Sequence, residues 1–501
     1  MWNSFCEVAR LLGDTVAISN EAQVLSFSGL QKEAEKISEF FRDLEQPVVW
    51  IALPGGPDFT AVQLAIWSLP DGVAIPIPEK SSEREALAYL EVLRPDFVVV
   101  RSLLDQQAIV NTLPESVCIL SLEKKSGITS DRRIYYIEDK PANRVSRKGS
   151  GDLPKETRMI QFTSGSTGKP KGILLSNENL ISNLENNSIH LSKFSGKHAF
   201  SSLPQFHAMG GAVVLEHLWS GSPIHVANRF LPGEHVSRMQ KYSCKVILSS
   251  PNYLKLMLDL KAFNSSIQSL IESFTVGTAA LSPDLVSALH SLFPESEIYS
   301  RYGLSESIGA LTLCRITKGD HYDFGTVGKL IPNVEFHPEF SKSKDNPGEI
   351  VVKSSGVGIG QLSENGIYSR LVDTDGFLHT GDIGFLDASG CLYLSGRKNN
   401  FIKSNGYRIS AMEIELMLKS ISEVQEAVVF GVQNSSSGEK IVACLEPMPG
   451  KKLPPAAELD RHCRSELSAY KVPQKFIVFE QLPRTQSGKP DLSKIRLEVQ
   501  L

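Results

Sequence analysis

Over roughly the first 125 residues the chain alternates two kinds of apolar spacing. Leu30, Ala34, Ile37 and Phe41 recur at helical intervals behind Ser28-Gly-Leu-Gln31, a capping-box start, and predict a helix near 29–44. Val48–Leu53 is a continuous apolar run, as expected of a strand buried on both faces. Helical patterns follow at 57–69, 81–94 and 103–113, separated by the strand-like Val73–Ile77, Phe97–Val100 and Val117–Leu120. Strands alternating with helices argue for a parallel α/β sheet. Residues 121–157 are polar and read as a surface connection. The alternation then resumes. A helix from Ser176 or Asn177 runs to about 190, another spans 210–220, Val246–Ser249 leads to a helix at 251–262, and Phe274–Ser282 leads to one at 283–293.

From Phe324 to Arg397 the segments shorten and turns multiply, which predicts a small antiparallel subdomain. The last hundred residues read as a compact α+β module. Ser410-Ala-Met-Glu413 opens a helix carrying Ile414, Met417, Leu418 and Ile421. Strands at 424–432 and 440–446, a helix at 456–468 and a strand at 475–480 follow.

Composition narrows the class. The length of 501 residues allows two to four domains. Hydrophobic content of 41%, charged content of 22% and a net charge of −4 describe an ordinary globular protein with no basic stretch for nucleic acid. The seven cysteines are scattered without a CxxC, and no two of the eleven histidines stand at metal-ligand spacing. No 18-residue apolar stretch predicts a membrane span, and neither terminus reads as a targeting address. The expectation is a cytoplasmic protein.

The most specific chemistry lies between the apolar runs Met159–Phe162 and Ile173–Leu175. Thr163-Ser164-Gly165-Ser166-Thr167-Gly168-Lys169-Pro170-Lys171-Gly172 holds three glycines, four hydroxyls and two lysines. Glycines allow close backbone approach, amides and hydroxyls donate hydrogen bonds, and lysines bring positive charge, so such a loop can wrap polyphosphate. It is not a Walker A loop: only two residues separate Gly165 and Gly168, Pro170 follows Lys169, and the flanks read as strand and strand.

This loop resembles the phosphate-binding signature of the adenylate-forming (AMP-binding) enzymes: acyl- and aryl-CoA synthetases, peptide-synthetase adenylation domains and luciferases. The resemblance implies a large N-terminal domain over 1–398, built of α/β subdomains with parallel sheets plus an antiparallel β subdomain at about 324–397. A small mobile α+β domain over 399–501 would rotate about a hinge near Asn399. Arg301-Tyr302-Gly303-Leu304-Ser305-Glu306 looks like the family's aromatic-Gly-x-Thr-Glu segment, with Ser305 where threonine is usual. It implies that Tyr302 stacks on adenine, Ser305 contacts phosphate and Glu306 holds Mg²⁺; an oxygen ligand suits that hard cation. The turn Gly277-Thr278-Ala279-Ala280 would lie against adenine and the acyl pocket.

Thr380-Gly381-Asp382 resembles the ribose site. Gly396-Arg397, with Asn399 two residues on, resembles the nucleotide-contacting arginine and hinge. Thr485-Gln-Ser-Gly488-Lys489 matches the catalytic-lysine loop. Leu203–Gly211 resembles one wall of the acyl pocket, which would comprise His207, Gly210, Gly277, Gly303 and Leu304. That segment carries no carboxylate after Phe206, so an acyl chain or aryl ring fits better than an α-amino acid. Ser404 and Gly406 would line a thiol tunnel.

The implied reaction joins a carboxylic acid to a thiol with ATP and Mg²⁺, the acceptor being CoA or the phosphopantetheine of a separate acyl carrier protein. Luciferase-like oxidation and a non-catalytic homologue are the other readings, and either a monomer or a homodimer is compatible with the composition.

Overall fold

The computed structural model describes residues 1–42, 44–102, 106–114, 117–122, 136–138, 153–164, 170–193, 195–320, 322–323, 325–398, 401–404, 407–434, 438–467, 471–485 and 488–499. Gly165, Ser166, Thr167, Gly168, Lys169, Asn399 and Gly406 lie outside them, as do the side chains of Ser164 and Ser404. The chain forms two compact units. One comprises Met1–Glu335 with Lys353–Leu378; the other comprises Phe336–Val352 with His379–Leu501. The strands bearing Asp382 and Arg397 therefore go with the C-terminal residues. Among the described residues no helix is long and apolar enough to cross a membrane.

The N-terminal unit is an α/β assembly of two large mixed sheets. In the first, Pro170–Ser176, Thr157–Ser164, Val73–Pro76, Val48–Ala52, Phe97–Val100 and Cys118–Ser121 lie side by side in that order. Val48–Ala52 pairs in parallel with both neighbours and is wholly buried, as its unbroken apolar run predicts. The flanks of the phosphate loop, expected to be strands, are Thr157–Ser164 and Pro170–Ser176, and the two pair antiparallel with Thr163 opposite Lys171. In the second sheet Ile224–Val226, Ala199–Ser201, Val246–Ser249, Ser273–Val276 and Glu297–Leu304 are successive parallel neighbours. Gly309–Ile316 then returns antiparallel to Glu297–Leu304.

Three local expectations need correction. The helix predicted near 29–44 is Phe27–Ser38, and its cap is Ser26, whose hydroxyl accepts from Gly29 N at 3.0 Å. Ser28 instead donates to Asp14, so the start moves two residues toward the N-terminus. The polar connection after residue 121 contains a strand, Tyr136–Glu138, antiparallel to Cys118–Ser121; an edge partner needs little apolar content of its own. At Ser410 the hydroxyl accepts from Glu413 N, as a cap should, but the Glu413 carboxylate reaches Lys471 at 2.7 Å.

In the C-terminal unit, Leu378–Leu386 pairs antiparallel with Leu392–Arg397. A further sheet joins Phe401–Ser404, Tyr407–Ser410, Val424–Asn434, Gly438–Pro447 and Lys475–Val478. The helix Ala411–Lys419 turns Ile414 and Leu418 into a core with Val429, Ile441 and Ala443.

Candidate active site

The predicted residues fall into two groups, one in each unit. In the N-terminal unit, Tyr302 ends the buried run of Glu297–Leu304, and the register shifts between Tyr302 and Gly303. A bulge of this kind re-aims side chains at a strand end. Gly303 is required there, because a Cβ would lie 2.0 Å from the Gly309 carbonyl oxygen. The chain then makes a 3-10 turn over Ser305–Ser307 that presents Glu306. Ile308 follows at φ 48°, a left-handed conformation rare for a β-branched residue. Thr278, after the strand Ser273–Val276, is at φ 73°. Two strained β-branched residues thus flank the segments expected to receive nucleotide, and such strain clusters at functional sites.

The predicted acyl wall meets the predicted adenine turn. His207 caps the helix Ala208–Trp219, and Met209 on its first turn packs against Gly277, where a Cβ would lie 2.5 Å from the Met209 sulfur. Gly210 is buried against the Pro204 carbonyl. Gln161, on the strand entering the phosphate loop, donates to the Phe206 carbonyl at 2.9 Å. His207–Gly210, Gly277 and the phosphate hairpin therefore belong to one cluster. Thr163 and Lys171 stand opposite each other where that hairpin leads into the loop. Ala279 is exposed beside Thr278, while Leu304 and Ser305 are half-buried.

Sequence reading missed what supports this cluster. The helix Asn177–Ser192 buries Asn179, Asn183, Asn186 and Asn187, an asparagine face at helical spacing. The Asn183 amide donates to the carbonyls of Ser307 and Gly356, tying the turn after Glu306 to a neighbouring loop. From that loop Gly358 N donates to the Glu306 carbonyl at 2.8 Å. Asn187 accepts from Arg301, which also forms a buried pair with Glu216. The sequence shows the period of the asparagines but not the carbonyls they meet.

The Glu306 carboxylate makes no ion pair or hydrogen bond among the described residues, and no cluster of three metal-ligating side chains occurs among them. A carboxylate with no partner among the described residues fits Mg²⁺ that keeps waters and shares its coordination with substrate phosphates.

In the C-terminal unit, Asp382 and Arg397 stand directly opposite in the ladder, and Arg397 Nε donates to Asp382 Oδ1 at 2.8 Å. Asp382 is buried and its backbone N–H bonds the Thr380 hydroxyl at 3.0 Å, which fixes the turn through Gly381. A cavity of about 200 Å³ opens beside them, lined by Asp382, Leu394, Gly396, Arg397, Met412 and Glu415. Burial pushes the Glu415 carboxyl up to about 6, against the Val429 N–H and Lys419, which favour its charge. Met412 and Glu415, three apart on their helix, were also missed, because the cap signal announced the helix and not its second face.

Lys489 belongs to the same group. The residue is exposed, yet desolvation lowers its pKa; Arg397 adds to the lowering and Asp382 opposes it. Asp382, Arg397 and Lys489, remote in sequence, thus share one neighbourhood.

The model of the AMP-binding enzyme family matches residues 5–360, and that of the AMP-binding enzyme C-terminal domain matches 413–489. Among curated proteins, a probable CoA ligase of Humulus lupulus is 28% identical over 74% of this chain and 68% of its own. The 4-coumarate-CoA ligase 1 of Narcissus pseudonarcissus is 26% identical over 74% and 72%. Among solved structures, the o-succinylbenzoate CoA synthetase of Bacillus subtilis, in complex with its acyl-adenylate intermediate, superposes with a TM-score of 0.78 at 21% identity, covering 99% of this chain and 98% of that one. ATP-bound MatB from Rhodopseudomonas palustris gives 0.78 at 21%, with the same coverage. At these identities the structural likeness is one of fold.

Proposed function

The chain belongs to the AMP-binding enzyme family, an AMP-forming acid–thiol ligase by that membership, and we propose that it activates a carboxylate borne on an otherwise uncharged acyl chain or aryl ring and passes it to CoA. The observation that carries the reading is the shared neighbourhood of Asp382, Arg397 and Lys489.

A carboxylate is a poor acylating agent because oxide would have to leave. Attack of a carboxylate oxygen on the α-phosphorus of ATP forms a C–O–P bond and breaks the bond to pyrophosphate, so AMP becomes the leaving group. Two anions must meet in line, which calls for fixed positive charge. Lys489 would bridge the carboxylate and α-phosphate oxygens. Thr163–Gly172 would wrap the β- and γ-phosphates, Ser305 would contact phosphate, and Mg²⁺, when bound through Glu306, would neutralise their charge. Tyr302 and the Gly277–Ala279 turn would seat adenine, and Asp382 the ribose. In the second step a thiolate attacks the acyl carbon and AMP departs. Between the steps the C-terminal residues would turn about Asn399 and bring Ser404–Gly406 to the thiol.

Two features favour an acid with no further charge. His207–Gly210 carries no carboxylate to pair with a substrate ammonium. Arg301, next to Tyr302, is already neutralised by Glu216 and so has no charge to offer a second substrate carboxylate. The names of the relatives favour CoA over a carrier protein.

The test is pyrophosphate release with MgATP across fatty, aryl, dicarboxylic and amino acids, with and without CoA. Release that depends on a monocarboxylic acid with no further charge and turns over only with CoA is expected. A burst that CoA does not relieve would reassign the acceptor to a carrier protein, and no release with any acid would overturn the reading. Lys489→Ala should abolish adenylation while sparing thioester formation from a presynthesised acyl-adenylate.

A further inference from the structure

The loop that ends in Lys489 is anchored through one buried carboxylate, and we propose that Glu446 and Arg484 form the positioning pair that aims this lysine. Glu446 lies near the end of the strand Gly438–Pro447, and its side chain is only 5% exposed. Its Oε2 accepts two hydrogen bonds at 2.9 Å, one from Leu482 N and one from Arg484 Nη2. The other arm of the guanidinium, Nη1, donates to the Gly488 carbonyl at 3.0 Å. A rigid path thus runs from the sheet through Glu446 and Arg484 to the residue immediately before Lys489.

The loop closes on itself around that path. Thr485 N donates to the Lys489 carbonyl at 2.8 Å, and the Thr485 hydroxyl reaches the same oxygen at 3.2 Å. Gly488 N donates to Thr485 O at 2.9 Å, and Gly488 sits at φ 77°, so the turn is tight. Asp491 N closes the base on Pro483 O at 2.7 Å. Leu482, where the loop leaves the core, is buried with Val428, Phe430, Val442 and Ile495.

An ion pair that only stabilised the unit would need contact with the sheet alone. Arg484 instead spans sheet and loop, and its planar fork is the geometry that fixes direction as well as distance. The consequence is that Lys489 is held where the charges of Arg397 and Asp382 act on it, in keeping with its lowered pKa. The inference rests on the reading of Lys489 as the adenylating lysine.

The test uses the full chain and has two arms. In the first, Lys489 is labelled with acetic anhydride across a pH series and followed by peptide mass spectrometry in wild type, Glu446→Gln, Arg484→Lys and Arg484→Met. Arg464→Met, which removes an exposed pair with Asp460, is the control. The labelling midpoint of Lys489 is expected below 10.5 in wild type and in the control, and to move up toward that ordinary value in Glu446→Gln and Arg484→Met. In the second arm, 4-coumarate, octanoate and malonate are tried as the acid, and the best is used to separate the half-reactions. Adenylation should fall by about 100-fold, the usual cost of a misplaced group, while thioester formation from the presynthesised adenylate stays within about threefold. Arg484→Lys, which keeps the charge, should fall between.

A wild-type midpoint at the ordinary value, a midpoint that no variant moves, or an equal loss of both half-reactions would overturn the proposal and leave the pair a structural one. Adenylation that survives Lys489→Ala would instead overturn the role of the lysine, and the labelling arm would still decide the positioning. If Arg484→Met fails to fold, Glu446→Gln and Arg484→Lys carry both arms.

Discussion

Arg301 and Glu216 form a bidentate ion pair inside the N-terminal unit, with Nη1 to Oε2 at 2.8 Å and Nη2 to Oε1 at 2.6 Å. The side chains are 5% and 3% exposed, and Asn187 accepts a further bond from the guanidinium at 2.9 Å. The pair ties the strand that carries Tyr302 to the helix that begins at the acyl wall. Removing one partner strands a buried charge, so Glu216→Ala and Arg301→Ala should each cost about 3–5 kcal/mol of stability. Urea unfolding measures it. The double variant Glu216→Leu/Arg301→Met should recover most of the loss; a deficit equal to the sum of the single ones would contradict a coupled pair.

Asn183 should matter beyond its own hydrogen bonds. Its side chain fits because Gly309 and Gly356 have no Cβ; one on Gly309 would lie 2.4 Å from Asn183 Oδ1. Asn183→Ala frees the turn behind Glu306 and leaves buried carbonyls without donors, at a cost of about 1–3 kcal/mol. The Mg²⁺ concentration for half-maximal pyrophosphate release should rise. Unchanged Mg²⁺ dependence at full stability would show that the clamp does not act on Glu306.

Thr278 is exposed at φ 73°, so its strain is not offset by burial. Thr278→Gly should raise stability by roughly 0.5–1 kcal/mol, read as a higher melting temperature, because glycine adopts this conformation freely. Ile308 shares the strain at φ 48° but is only 2% exposed in the core, so Ile308→Gly should be destabilising. Opposite signs at two left-handed residues are the diagnostic outcome.

Acid should unfold the N-terminal unit through its buried histidines. His225 is fully buried, bonded through Nδ1 to the Ser19 hydroxyl at 2.9 Å and stacked on Phe200 and Tyr242. Burial pushes it down to about 4; Glu21 opposes this, and Arg238, His198 and His235 add to it. His198 is likewise lowered to about 4, by burial and then by His217. These groups are neutral when folded and take up protons near 6.5 when unfolded, so the unfolded state binds more protons between the two values. Stability is therefore flat above 6.5 in this respect and falls as the pH drops toward 4, by on the order of 3 kcal/mol for His225. His225→Gln should flatten that part of the urea-midpoint profile.

Period and motif were enough to read the alternation of strands and helices, because each follows from spacing within one segment. Val48–Ala52 is buried on both sides, as an unbroken apolar run requires, and the segments flanking the phosphate loop are strands as predicted. The family resemblance, and not the spacing, named Tyr302, Glu306, Asp382, Arg397 and Lys489 as candidates. The local signals failed where two segments compete for one group: Ser26 takes the cap predicted for Ser28, and Glu413 turns to Lys471. Only the tertiary structure decided that the asparagines of Asn177–Ser192 face inward, since their donors meet carbonyls of turns distant in sequence. It alone set Asp382 opposite Arg397 and joined Glu446 through Arg484 to the lysine loop. Periodicity records which face of a segment is apolar; a buried polar group is legible only once its partner is known, and chain packing chooses that partner.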